Sequence, residues 1–176
     1  MKAKTIKLRP ASRDDFGIIE TVHRAAFSVS EFGYNGEGDL ASQLHEDGDA
    51  LVSLLAMHDD IVVGHVLFSR MRVEGDGKPL VAAVLAPVGV VPMWKSKGVG
   101  SALVKAGLAA LKPQGVQLCF VVGHPTYYQR FGFSAATAKP FSSSYSGRYF
   151  MAMKLDDGLK LPKTGSALLA PAFEGF

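Results

Sequence analysis

Long apolar runs, paired cysteines and blocks of like charge are all missing from this chain of 176 residues. The single cysteine, Cys119, has no partner for an internal disulfide and cannot supply a zinc site made from two to four thiolates. No metal is therefore expected, and a reducing cytoplasm is the expected location. The longest apolar stretches, Val81 to Val91 and Leu118 to Val122, are too short for a bilayer span, and Pro87 and Gly89 interrupt the first. Met1 to Arg9 alternates charged with apolar side chains and holds no apolar core of a signal peptide. Lys and Arg number 19 against 16 Asp and Glu, a net charge of +3 spread along the chain, so neither a nucleic acid nor a membrane surface is expected as a partner.

What is present is a globular composition. Hydrophobic residues make up 48% and charged residues 20%, which excludes a disordered chain. At this length a folded domain buries roughly 70% of the surface its unfolded form exposes. No internal repeat interrupts it.

Periodicity places the elements. Thr5 to Leu8 reads as a strand ending at Pro10, and Ser12 with Asp15 offers a capped start to a helix whose stripe is Phe16, Ile19, Val22, Ala26 and Phe27. A loop from Ser28 to Gly38 precedes a short helical pattern from Asp39 to Glu46. Leu51 to His58 and Ile61 to Arg72, joined by Asp59-Asp60, predict an antiparallel hairpin, and Gly75-Asp-Gly77 predicts the next turn. Val81 to Val91 is apolar on both faces, as a central strand covered by helices is. Gly98 to Lys112 is the clearest helix. Leu118 to Val122 reads as another buried strand, Thr126 to Phe131 as a short helix, and Phe133 as the start of a last strand region that resumes at Tyr149 to Leu155. The tail after Asp156 has no period and is expected to lie on the domain as an arm or remain partly mobile. This order predicts an α/β sandwich with a mixed sheet.

Chemistry concentrates between Ala86 and Ser101, where a buried strand passes through a basic, glycine-bearing turn into the best helix. The first helical N–H groups have no intrahelical partner and carry the positive end of the helix dipole. Gly98 and Gly100 let an anion approach the backbone, and Lys95 and Lys97 add charge. An ordinary exposed turn also uses Gly and Lys, so spacing alone leaves both readings open. A Walker A loop is absent. The dinucleotide fingerprint fails because Leu103 stands where a third glycine is needed, which makes NAD a poor fit.

Val88-Gly-Val-Val-Pro92 followed by Lys95-Ser-Lys-Gly-Val-Gly100 resembles the signature of the GNAT superfamily of acyl-CoA-dependent N-acetyltransferases: a strand, a proline, then Q/R-x-x-G-x-G/A opening a helix. Tyr127-Tyr-Gln-Arg-Phe-Gly-Phe133 resembles the family's F/Y-Y-x-x-x-G-F element. With Gly123-His-Pro125 and Tyr149 to Leu155, the chain most resembles the YhbS-type branch, over most of residues 5 to 155. The resemblance implies a mixed, mostly antiparallel central sheet flanked by helices and splayed between its fourth and fifth strands. Residues 1–155 are then a single acyl-CoA N-acyltransferase domain and residues 156–176 a C-terminal arm.

The resemblance further implies that acetyl-CoA is the co-substrate. Val88, Gly89 and Val90 would pair with its pantetheine arm, and Lys95, Ser96, Lys97, Gly98, Val99, Gly100 and Ser101 would wrap the pyrophosphate. Lys95 stands where the family usually has Gln or Arg, keeping a cation but not a planar fork. Tyr128 matches the tyrosine that protonates the departing thiolate, and a phenol of ordinary pKa near 10 is protonated for that task. Tyr127 is expected to be the core member of the pair. The acceptor is a primary amine of a small molecule or a protein. Glu31, Glu37 and His45 flank the region where the family places acceptor contacts, and His124 precedes the tyrosine element, but no base is marked. Cys119, among Leu118, Phe120 and Val121, reads as core. A non-catalytic acyl-CoA-binding or sensing module is the alternative. Monomer and homodimer are both open, with Leu168 to Phe173 as a candidate contact segment.

Overall fold

The computed structural model describes residues 5–176, so the reading of the first four residues lies outside it. β1 (Ile6–Pro10) leads through a 3-10 turn at Arg13–Asp15 into α1 (Phe16–Ser28), and α2 (Glu37–Glu46) follows. Asp15 fixes this start: its carboxylate accepts from the Ser12 backbone N–H at 2.8 Å and from the Arg9 guanidinium at 2.7 and 2.9 Å. β2 (Ala50–His58) and β3 (Ile61–Gly75) form the expected hairpin, turning at Asp59 in the left-handed region. β4 (Lys78–Val90) pairs back along β3 and leads to α3 (Val99–Leu111).

β5 (Leu118–Val122), the short α4 (Pro125–Tyr128) and α5 (Ala135–Ala138) come next, then β6 (Phe141–Ser142) and β7 (Phe150–Lys154). Phe133 does not begin a strand. Ser134 makes only a single bridge to Ala152 and then caps α5, its hydroxyl accepting from the Thr137 N–H at 3.1 Å. The tail contributes β8 (Gly165–Leu168), which pairs antiparallel with Arg72–Gly75 of β3 and parallel with β6.

The main sheet runs β1-β2-β3-β4-β5-β7, with β4 and β5 parallel and the other neighbours in that order antiparallel. Both faces are covered. Ala82, Val84, Leu118 and Phe120 pack with α1 and α2, while the alternating Ala83, Leu85, Cys119 and Val121 pack under α3. A strand buried on two sides explains why Val81 to Val91 shows no period of two.

β4 and β5 are in register only from Ala82 with Leu118 to Val84 with Phe120. Beyond that, β5 continues to Val122 on β7 while β4 continues to Val90 on β3, so the two diverge. The β3–β4 register slips between Val66–Val88 and Phe68–Leu85, placing an extra residue on β4 around Ala86 and Pro87. Such a bulge bends its strand, and Pro87 brings no N–H to a ladder. The splay is thus encoded where β4 leaves β5. No helix among the described residues is long and apolar enough to cross a membrane.

Candidate functional site

The splay opens into a cleft of about 590 Å³, lined by Val88, Gly89 and Val90 of β4, by the turn into α3, and by the Tyr127 element. Lys95, Ser96, Gly98, Val99, Gly100 and Ser101 all line it. Nine of the ten residues expected to touch cofactor are therefore around one cavity. The exception is Lys97, whose Nζ donates to the Met93 carbonyl at 2.7 Å and sits 5.3 Å over the Trp94 ring, outside the lining.

The turn has the shape an anion needs. Ser96 at φ 59° and Gly98 at φ 80° are left-handed, the first at some cost for a residue with a side chain and the second with little. The Gly98 carbonyl accepts from the Ala102 N–H at 3.0 Å, which leaves the preceding N–H groups at the open end of a helix of 13 residues. Lys95 Nζ donates to the Ala26 carbonyl at 3.0 Å, tying the turn to the end of α1.

Three lining residues escaped the sequence reading: Trp94, Tyr127 and Arg130. Arg130 donates to the Ser101 hydroxyl at 3.2 Å and lies 4.6 Å over the Tyr127 ring, presenting a guanidinium beside the α3 N-terminus. Its place in the quoted tyrosine element was the available signal. Tyr127 is not the core member of its pair. Its hydroxyl fits against Gly100, where an added Cβ would approach to 2.8 Å, and its ring meets Tyr128 edge-on at 4.9 Å.

Tyr128 packs instead toward Phe133 and over Gly123, where an added Cβ would lie 2.4 Å from its ring. Burial, with a smaller contribution from Tyr127, pushes the phenol well above its usual pKa, so it is a proton donor across the physiological range. Burial likewise raises the Cys119 thiol, leaving it no reactive thiolate.

The acceptor candidates do not converge. Glu31 is exposed in the loop after α1. Glu37 is buried, with its carboxylate accepting from the Asn35 N–H at 2.9 Å, which stabilises the start of α2. His45 packs on Phe16 with ring centroids 5.2 Å apart, and burial lowers its pKa. His124 is exposed, edge-on to Tyr149 at 6.1 Å, and its carbonyl accepts from the N–H groups of Tyr127 and Tyr128. None of the four lines the cleft.

Comparison with known proteins follows the same outline. Residues 7–136 match the profile described as Acetyltransferase (GNAT) domain. The uncharacterized N-acetyltransferase YjhQ of Escherichia coli (strain K12) is 36% identical, covering 64% of this chain and 71% of its own length. The uncharacterized N-acetyltransferase YhbS of the same strain is 34% identical, and the match spans 62% of YhbS, less than two thirds. Among solved structures, a GNAT family acetyltransferase from Brucella melitensis in complex with acetyl-CoA has a TM-score of 0.78 at 29% identity, covering 97% of this chain and 99% of that one. YhbS from Escherichia coli in complex with CoA has a TM-score of 0.82 at 26% identity, covering 99% and 94%. A profile that matches from the first strand into α5, taking in the splay, the glycine turn and the tyrosine element, makes this chain a member of the GNAT family of acetyltransferases.

Proposed function

We propose that the chain is an acetyl-CoA-dependent N-acetyltransferase that passes the acetyl group directly to a primary amine of a small molecule or a protein in the cytoplasm. The observation that carries this reading is the cleft at the splay, where the unpaired edge of β4 meets the N-terminus of α3. Acetyl-CoA and CoA in the two solved relatives support the same ligand here.

Acetyl-CoA supplies the acetyl group as an activated thioester. The chain's part is to hold and protonate. Backbone groups of Val88, Gly89 and Val90 pair with the amides of the pantetheine arm, which takes the place of the missing sheet neighbour. The N–H groups of Val99, Gly100 and Ser101 face the pyrophosphate, helped by the dipole of α3 and the Arg130 guanidinium. Lys95, whose ammonium is tied to α1, contributes field rather than a direct fork. The Tyr128 hydroxyl donates to the sulfur as negative charge develops there.

Calorimetric titration with acetyl-CoA, using NADH and ATP as controls, tests the reading. Micromolar binding of acetyl-CoA alone is expected, followed by thiol release with at least one member of a panel of primary amines. No binding at millimolar concentration sinks the reading. Binding without turnover on any amine favours the non-catalytic acyl-CoA module.

A further inference from the structure

Behind the cofactor strand lies a chain of polar side chains that this reading of the cleft does not use. His23 of α1 and His65 of β3 are both 0% exposed, and His23 Nε2 lies 2.7 Å from His65 Nδ1. The other nitrogen of His65, Nε2, is 2.9 Å from the hydroxyl of Ser53 on β2. One proton sits between the two rings, so the tautomer of each fixes that of the other. Either His23 donates to His65 and His65 to Ser53, or the order runs the other way.

The inner end of the chain is open. His23 Nδ1 is buried and has no hydrogen-bond partner among the described residues. An unpaired buried nitrogen is unfavourable and calls for a function or a partner absent from the protein itself. Nδ1 lies against Gly89, where an added Cβ would come within 2.7 Å of it, and Gly89 lines the cleft. Gly89, a residue without a side chain, thus lies between this nitrogen and the cleft. The outer end, Ser53, is half-buried on β2.

We propose that His23, His65 and Ser53 form a proton relay opening at Gly89 onto the cofactor strand, which takes up the proton that the acceptor amine loses during acetyl transfer. The proposal rests on the N-acetyltransferase reading. As the amine nitrogen bonds to the acetyl carbon and the thioester C–S bond breaks, the amine N–H proton passes through water to His23 Nδ1. The Nε2 proton of His23 moves to His65 Nδ1, the Nε2 proton of His65 moves to Ser53, and the Ser53 hydroxyl releases its own to water. The return shift takes a proton from water at Ser53 and delivers the Nδ1 proton to the cleft, replacing the one Tyr128 gave to sulfur. The net transfer is from amine nitrogen to thiol.

A relay suits these surroundings better than a lone base. Burial opposes an imidazolium at His23, pushing its pKa down to about 4, and His65 is held well below its ordinary value by burial and by His23. The other titratable groups acting on His65 are His45 of α2, which opposes its charge, and Asp15 at the start of α1, which favours it. A single ring here is a poor acceptor of lasting charge. Passing the proton onward avoids that state.

Nitrogen NMR of protein carrying ¹⁵N-labelled histidine, titrated with acetyl-CoA alone, reads the relay without an acceptor. Both rings are expected to be neutral at pH 7, with the His23 Nδ1 resonance moving on addition of acetyl-CoA and that of His45 unmoved. A His23 resonance that stays fixed in calorimetrically saturated protein overturns the relay and leaves the acetyltransferase reading standing; absence of acetyl-CoA binding removes both. With a panel amine, Ser53→Ala is expected to lower kcat about 10-fold and His23→Gln about 100-fold at unchanged acetyl-CoA affinity. Ser53→Thr keeps the hydroxyl and restores kcat, which a purely structural role for Ser53 does not require. Folded Ser53→Ala and His23→Gln variants with kcat within about twofold of the parent also overturn the proposal.

Discussion

At Tyr128 the surrounding protein removes water from a phenol, with Phe133 at the ring edge and Gly123 beneath it, and the raised pKa keeps the hydroxyl protonated. Tyr128→Phe keeps the packing and removes only that proton. It is expected to lower kcat about 10- to 1,000-fold with acetyl-CoA affinity retained, as general acid catalysis implies. Unchanged turnover in a thiol-release assay removes Tyr128 from the mechanism. Gly89 carries a different constraint, since a side chain there meets the His23 ring at 2.7 Å and Ala26 at 3.2 Å. Gly89→Ala must move β4 or α1, at a cost of about 1–3 kcal/mol. Urea unfolding and calorimetry should show both stability and acetyl-CoA affinity reduced; parental values for both exclude the close approach. Motifs alone pointed to Gly89 and Gly98, which line the cleft, and to Tyr128, which does not. Sequence reading misassigned Tyr127 because adjacent aromatics carry no period that says which one faces solvent. It passed over His23 and His65 because residues 42 positions apart meet only after the helix docks on the sheet.

Elements show the same division between local and tertiary information. The β2–β3 hairpin, β4 and α3 were legible because length, alternation and turn residues agree over ten or so positions. The two-residue β6 and four-residue β8, rich in Ser, Gly and Ala, carry no such pattern; β8 exists because β3 offers it an edge, and β6 because β8 in turn offers it one. The splay lay within a motif, yet its cause, a register slip where β4 leaves β5, is visible only in the pairing. α3 offers a test of packing apart from binding. Its Gly107 sits so close to the buried Phe68 that an added Cβ would lie 2.0 Å from the ring. Alanine raises helix propensity by about 1 kcal/mol over glycine. Overpacking a buried ring costs about 1–3 kcal/mol, and at this distance the upper part of that range applies. Gly107→Ala is therefore expected to lower the urea midpoint while leaving acetyl-CoA affinity intact, because position 107 lies about 12 Å along the helix from its N-terminal turn. A stabilised variant contradicts the packing of α3 on β3.

For the whole molecule, the histidines between the helical layer and the sheet set how stability follows pH. His23 has its pKa lowered to about 4 by burial, against about 6.5 in the unfolded chain, and His65 and His45 are lowered by burial as well. A lowered histidine pKa means that the unfolded state binds more protons on acidification, so stability is fully present above about pH 6.5 and declines below it. For His23 the loss accumulates down to about pH 4 and is on the order of 3–4 kcal/mol, from about 2.5 pKa units at about 1.4 kcal/mol each. Asp15 acts in a lower window: its pKa is depressed chiefly by the Arg9 hydrogen bond, so its contribution is present above about pH 4 and fades as the pH falls further. Urea midpoints should therefore be level near pH 7 to 8, fall steadily from pH 6.5 to 4, and fall again below. His23→Gln cannot titrate, so its midpoint should start lower but decline less steeply across the first window. A parent whose midpoint does not change between pH 7 and 4.5 would show that neither ring is held neutral by the fold, and the buried pair would then lack the electrostatics on which a relay depends.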